Sequence, residues 1–228
     1  MTVSSGIYAD IPGAPAEGDL YIPTDATTLF CGIGGGAWNA WGPIYPLTQP
    51  PSAGWSWVNQ GGATVDSTNG GILLDHDGSG GAGVNLRVRV RSIVPSVTIT
   101  TMSLGHTDFV AGTPGWGVCF RDSGAGKLLI WQHSWASVVS VVRYSSPTAV
   151  ATVMMTEPSP GYTTQIALFV RMVDDGSDLF FYTSRDGQDW ILQYTEAVAA
   201  YLTPDEAGFF VNPINYGVCN RLMSWKEA

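Results

Sequence analysis

Between Tyr162 and Tyr194 the chain runs through three short stretches of β-branched and aromatic residues. Two turn clusters separate them, Asp174-Asp175-Gly176-Ser177-Asp178 and Arg185-Asp186-Gly187-Gln188-Asp189. Ile166, Leu168, Val170 and Met172 alternate onto one face of the first stretch, and Phe180, Tyr182 and Ser184 onto one face of the second. A period of two is the signature of a strand with one face buried. An Asp-Gly step inside each cluster supplies the positive φ that a tight hairpin connection needs. The stretch predicts an antiparallel meander, and no helical period fits it.

The same device recurs along most of the chain. Gly54 to Gln60, Gly71 to Leu74, Leu86 to Arg91, Val97 to Leu104, Trp116 to Arg121 and Lys127 to Trp135 each read as strands. So do Val138 to Tyr144, Val150 to Met155, Phe209 to Val211 and Val218 to Trp225. Glu196 to Tyr201 reads as one helical turn. About a dozen strands with almost no helix predict an all-β fold, a two-sheet antiparallel sandwich. Twenty-eight glycines and 14 prolines supply its turns, and an apolar content of 45% supplies its core.

Residues 1–51 differ from the rest. Leu20-Tyr21-Ile22 and Thr28-Leu29-Phe30-Cys31 predict a small unit of two or three strands, and Pro43, Pro46, Pro50 and Pro51 then interrupt regular structure. So small a unit is marginal alone. Trp38, Trp41, Ile44 and Tyr45 are too apolar for it to hide, which makes them the candidate assembly interface, in an attachment segment ahead of a sandwich over residues 52–228.

The alternation also sets out candidate sites. On the strand from Leu86, Leu86, Val88 and Val90 are expected to point inward and Arg87, Arg89 and Arg91 outward, as a solvated face or toward a partner or acidic sugar. On the strand from Lys127, Leu129, Trp131, His133 and Trp135 share one face, opposite Leu128, Ile130, Gln132 and Ser134. A row of Trp131, His133 and Trp135 suits a sugar-stacking platform if exposed, and half of a sandwich core if not; the core is favoured.

Several function classes recede. A formal net charge of −9 repels phosphate backbones, so neither nucleic acid nor an anionic membrane is an expected partner. No run approaches the ~18 apolar residues of a membrane span, and the N-terminal residues show no signal-peptide pattern. Cys31, Cys119 and Cys219 lack metal-ligand spacing and read as reduced thiols. Asp75-His76-Asp77-Gly78-Ser79-Gly80 opens like a calcium loop, but Leu86 stands where a bidentate Glu is required. The cluster Gly32 to Gly36 lacks the Lys and helix of a phosphate loop. No metal and no cofactor is assigned. No Glu-x-Asp-x-x-Glu strand sets two carboxylates across a glycosidic bond, and no histidine neighbours a nucleophile motif, so no catalytic residue is assigned and no enzyme is expected.

The region from Trp55 to Trp225 resembles the concanavalin A-like, laminin G-like jelly rolls of tailed-phage virion proteins. Ser56-Trp57-Val58-Asn59-Gln60-Gly61-Gly62, Gly117-Val118-Cys119-Phe120-Arg121-Asp122, Asp174-Asp175-Gly176, Ser184 to Trp190 and Leu202 to Asp205 carry the likeness. Gly18 to Asp25 followed by Trp38 is similar to short β modules of phage tail fibres. The resemblance implies a virion structural protein, a tail-fibre, tail or capsid-decorating component located on the virion. Its implied partners are copies of itself, with a trimer favoured, other virion proteins, and host surface carbohydrate. The alternative is a carbohydrate-binding module in its own right; a glycan hydrolase ranks behind both.

Overall fold

A computed structural model describes strand backbones at residues 3–6, 20–23, 28–32 and 38–43, and then residues 47–68, 70–79, 83–107, 114–134, 138–158 and 168–228. In chain order the strands are β1 (Val3–Gly6), β2 (Leu20–Pro23), β3 (Thr28–Gly32), β4 (Trp38–Pro43), β5 (Ser56–Val58) and β6 (Thr64–Asp66). They continue as β7 (Ile72–His76), β8 (Arg87–Ser92), β9 (Thr98–Thr107), β10 (Gly115–Asp122), β11 (Lys127–Ser134) and β12 (Val138–Ser146). The last are β13 (Ala149–Pro158), β14 (Leu168–Asp174), β15 (Asp178–Ser184), β16 (Ile191–Ala197), β17 (Glu206–Asn212) and β18 (Val218–Glu227). No helix occurs among the described residues.

Two seven-stranded antiparallel sheets form the sandwich. The first runs β13-β12-β11-β10-β17-β8-β5 and the second β16-β15-β14-β9-β18-β7-β6. The meander expected between Tyr162 and Tyr194 closes one edge of the second sheet as β14-β15-β16, with Ile166 outside the described residues. The N-terminal segment forms a four-stranded sheet of its own, β1-β2-β3-β4, rather than two or three strands. Where a helical turn was expected, Val198 to Tyr201 make a non-helical turn with Ala199 at φ 67°.

The core lies between the sheets. Val118, Phe120, Leu129, Trp131, Val141, Ala207 and Phe209 face it from the first sheet, and Ile99, Val170, Met172, Leu179, Phe181, Leu222 and Trp225 from the second. Phe120 meets Phe181 across the layers at 5.8 Å between ring centroids. Asn220 adds a polar cross-link, donating from Nδ2 to the carbonyls of Gly117 at 3.1 Å and Phe210 at 3.2 Å. At another edge Arg143 bonds Glu196 at 2.6 Å, and the Tyr194 hydroxyl donates to the same carboxylate oxygen at 2.8 Å.

The arginine strand is inverted relative to its sequence reading. Arg87, Arg89 and Arg91 pair in register with Val211, Phe209 and Ala207, which are core residues, so the arginines face the second sheet. Two tryptophans explain how they are tolerated there. The Arg89 guanidinium lies 4.8 Å from the Trp57 ring centre and that of Arg91 5.6 Å from Trp55, so the positive groups rest on aromatic faces at the edge. Leu86, Val88 and Val90 instead join Cys119, Leu128, Ile130, Val142, Tyr144 and Phe210 in a second apolar cluster on the outer face of the first sheet.

The proline-rich stretch is tied down where it meets the sandwich. Thr48 accepts from the Trp225 backbone N–H at 2.9 Å, and its own N–H donates to Ser224 Oγ at 2.9 Å. Trp55 donates from Nε1 to the Pro51 carbonyl at 2.7 Å, and its ring sits edge-on to both Phe209 and Trp225 at about 5 Å. Three hydrogen bonds at roughly 1 kcal/mol each set the scale of this anchor. A chain beginning at residue 47 therefore keeps the sandwich's urea unfolding midpoint. One beginning at residue 54 loses about 3 kcal/mol.

Candidate functional site

The strand that carried the sequence candidates does line a site, with its other face. Trp131 is fully buried, paired with Val118 and Val141 in the middle of the core, and His133 is 7% exposed. His133 stacks on Trp116 at 5.3 Å with 26° between the rings. Neither ring is open to a ligand, so the favoured core reading holds for Trp131 and His133 and the sugar-platform alternative falls; truncating Trp131 to Ala is a cavity mutation of about 3–5 kcal/mol. Trp135 lies outside the described residues. So do Ile44 and Tyr45, while Trp38 and Trp41 are described only as backbone of β4.

Alternation places Gln132 and Ser134 on the opposite face, where a groove of about 320 Å3 opens. That volume lies near the lower end of the ~300–1,000 Å3 typical of small-ligand sites. Its polar lining is Gln132, Ser134, Ser140, Thr156 and Asn212; Val84, Val138, Val142, Val150, Val153 and Tyr144 supply the apolar walls. The strands bring these together by register. Gln132 pairs with Gly117 and Ser140, Ser140 with Thr156, Val142 with Val153, and Asn212 with Gly115.

Gly115 shapes the floor. A Cβ built there falls 2.8 Å from Gln132 Cγ and Nε2, so the Gln132 side chain lies flat in space that any other residue would fill. Its carboxamide oxygen is buried and has no hydrogen-bond partner among the described residues. Around it, Asn212 Oδ1 accepts the Asn85 N–H at 3.2 Å and Ser134 Oγ donates to the Val138 carbonyl at 3.3 Å. Burial pushes the Tyr144 phenol well above its ordinary pKa, so it stays a neutral hydroxyl. Among the described residues no charged side chain lines the groove, and Val150 and Val153 leave 43% and 56% of their surface exposed on its rim. A neutral ligand with hydroxyls and apolar faces suits such a surface; a charged one does not.

Other polar clusters serve the structure. In the turn from Ser184, Asp186 Oδ1 receives the Ser184 hydroxyl and the Gln188 and Asp189 N–H groups, closing a hairpin rather than a site. Glu196 holds Arg143 and Tyr194 between the sheets. In the Asp75 to Gly80 segment, Asp77 Oδ1 accepts the Ser79 N–H at 2.8 Å, and no group of three or more His, Cys, Asp or Glu among the described residues is arranged to hold a metal. On the outer face of the second sheet, Phe180 stacks on Tyr182 at 6.0 Å and the Arg171 guanidinium sits 3.9 Å over Trp190.

No protein-family model matches the sequence, and no curated protein matches it. The fold itself has many counterparts among solved structures. A carbohydrate-binding module, CBM66 from Bacillus subtilis, is 15% identical with a TM-score of 0.51, over 81% of this chain and 99% of that one. Lectin II from Ulex europaeus is 10% identical with a TM-score of 0.51, over 80% of this chain and 95% of that one. The GH43 protein BlXynB from Bacillus licheniformis (K247S mutant) gives 14% identity and a TM-score of 0.55 over 78% of this chain, which spans 37% of its length. At such identities the likeness establishes the fold, a two-sheet jelly-roll sandwich as expected from the sequence, and nothing finer.

Burial also makes a titration prediction. Desolvation pushes the His133 imidazole down to about 4, against ~6.5 in the unfolded chain. Between those values the unfolded state takes up a proton that the folded state refuses. The stability from neutral His133 is therefore complete above pH ~6.5 and is lost as pH falls toward 4, by roughly 2–3 kcal/mol. Urea midpoints at pH 7 and pH 4.5 measure the loss, and His133→Phe is expected to remove most of it.

Proposed function

We propose that this protein is a carbohydrate-binding module whose site is the groove over β10–β13, and that its ligand is a neutral glycan. One observation carries the reading: the Gln132 carboxamide oxygen lies buried and unpaired in a groove otherwise lined by hydroxyls, an amide and valines. A buried acceptor left without a donor costs about 1–3 kcal/mol, and a sugar hydroxyl entering the groove recovers it. The valines meet the C–H faces of the ring. Jelly rolls of similar shape include a carbohydrate-binding module and a lectin, which supports the reading without deciding it. The reading is binding rather than cleavage, because glycoside hydrolysis generally needs two carboxylates flanking the bond, and none lines the groove among the described residues.

The likeness to virion jelly rolls supplies a context for such a module. A separately hydrogen-bonded sheet β1–β4 suits attachment to a virion or to copies of the chain, with the sandwich displayed toward host surface glycan. The mass of the full chain in solution tests that context, a trimer supporting it and a monomer counting against it.

For the groove, glycan-array screening followed by calorimetry is the test, with Gln132→Leu as the variant. The expected result is binding of a neutral glycan that weakens at least tenfold, about 1.4 kcal/mol, in Gln132→Leu. The melting temperature should hold or rise, since the variant removes an unpaired buried oxygen. Unchanged affinity in the variant would place the site elsewhere.

A further inference from the structure

Carboxylates pair with Arg91 (Glu227, 3.0 Å), Arg143 (Glu196, 2.6 Å) and Arg121 (Glu206). Among the described residues no carboxylate lies within ion-pair distance of Arg87 or Arg89, although the chain carries nine more acidic than basic charges. Arg89 rests on Trp57. Arg87 is 6% exposed, and Nη1 reaches the Asn59 carbonyl at 3.3 Å while Nε is buried without a partner. Burying a guanidinium costs several kcal/mol unless a counter-charge is supplied.

His76 lies on the other sheet, close enough for the charge of Arg87 to act on its ring. It pairs in register with Val218, a core residue, as Arg87 does with Val211. Its side chain is fully buried, and Nδ1 accepts the Gly78 N–H at 2.9 Å. In the neutral ring the proton therefore sits on Nε2, which is buried with no partner. Burial first, and then the charge of Arg87, hold the His76 pKa below its ordinary value. Asp75 lies on the opposite face of β7, paired with Thr64 and Cys219. Asp77 is exposed and approaches only Nδ1, at 3.7 Å.

Gly62, which is exposed, stands beside the His76 ring: a Cβ built on it would lie 3.6 Å from His76 Nε2 and 4.0 Å from Ser79 Oγ, with no other described atom within 4 Å. We infer that the gap between His76 and Arg87, entered past Gly62, binds a carboxylate, either of an acidic sugar or of a free organic acid. One carboxylate oxygen takes the two orphaned N–H donors, and its charge balances Arg87. The site is separate from the neutral groove, which opens on the outer face of the first sheet.

Titrating the isotope-labelled full chain with acetate, glucuronate and glucose at fixed ionic strength tests this, read at the His76 imidazole signals, which are assigned by their loss in His76→Gln. Saturable shifts with both anions and none with glucose are expected, weakened at least tenfold in Gly62→Ala, whose methyl group covers Nε2. Arg87→Met serves the same purpose if Gly62→Ala fails to fold. Glucuronate binding tenfold tighter than acetate identifies a sugar acid as the occupant; equal affinities identify a free carboxylate. Signals unmoved by either anion, moved equally by glucose, or equally responsive in a folded Gly62→Ala protein would overturn the inference.

Discussion

Trp131 can be buried in only one way, and that decides where Gln132 goes. Successive side chains of a strand point to opposite faces. With Trp131 between the sheets, paired to Val118 and Val141, Gln132 must stand on the outer face of the first sheet. The same constraint puts Leu128 and Ile130 on that outer face, where they join the second apolar cluster. The face is therefore apolar along most of its length and turns polar at Gln132, Ser134, Ser140 and Asn212. The groove forms at that change of character. The groove is a by-product of packing: the heaviest side chain on β11 fixes the register, and the register delivers an amide and two hydroxyls to one place.

Much of the architecture was legible because it depends on local alternation and turn chemistry. The meander to Tyr194, the two faces of β11 and the sandwich class all follow from period two and from Asp-Gly turns. Alternation says which residues share a face, however, and not which face turns inward. On β8 the valines were expected inside and the arginines outside. The structure reverses them because Trp57 of β5 and Trp55 just before it, more than 30 positions away, lay their rings on Arg89 and Arg91. Nothing within the strand announces that.

The groove was missed for a related reason. Its polar residues are spread over β11, β12, β13 and β17, and only the pairings Gln132 with Ser140 and Ser140 with Thr156 make them neighbours. The one signal in the sequence was Gln132 and Ser134 opposite Trp131 and His133, on the strand already singled out for its tryptophans. The N-terminal sheet was under-read for want of long strands: Val3–Gly6 is four residues and pairs in parallel with Leu20–Pro23, which leaves no hairpin signal. Charge pairing has a similar non-local logic. Glu227, Glu196 and Glu206 each neutralise an arginine far away in sequence, and the gap at Arg87 becomes visible only against that pattern.

Backbone amide mapping of the labelled chain, in the presence of a neutral glycan that it binds, addresses the central claim most directly. The account predicts shifts concentrated at Gln132, Ser134, Ser140, Val142 and Asn212, on one face of the first sheet. Shifts confined to Phe180, Tyr182 and Trp190 on the outer face of the second sheet, with the groove silent, would contradict it.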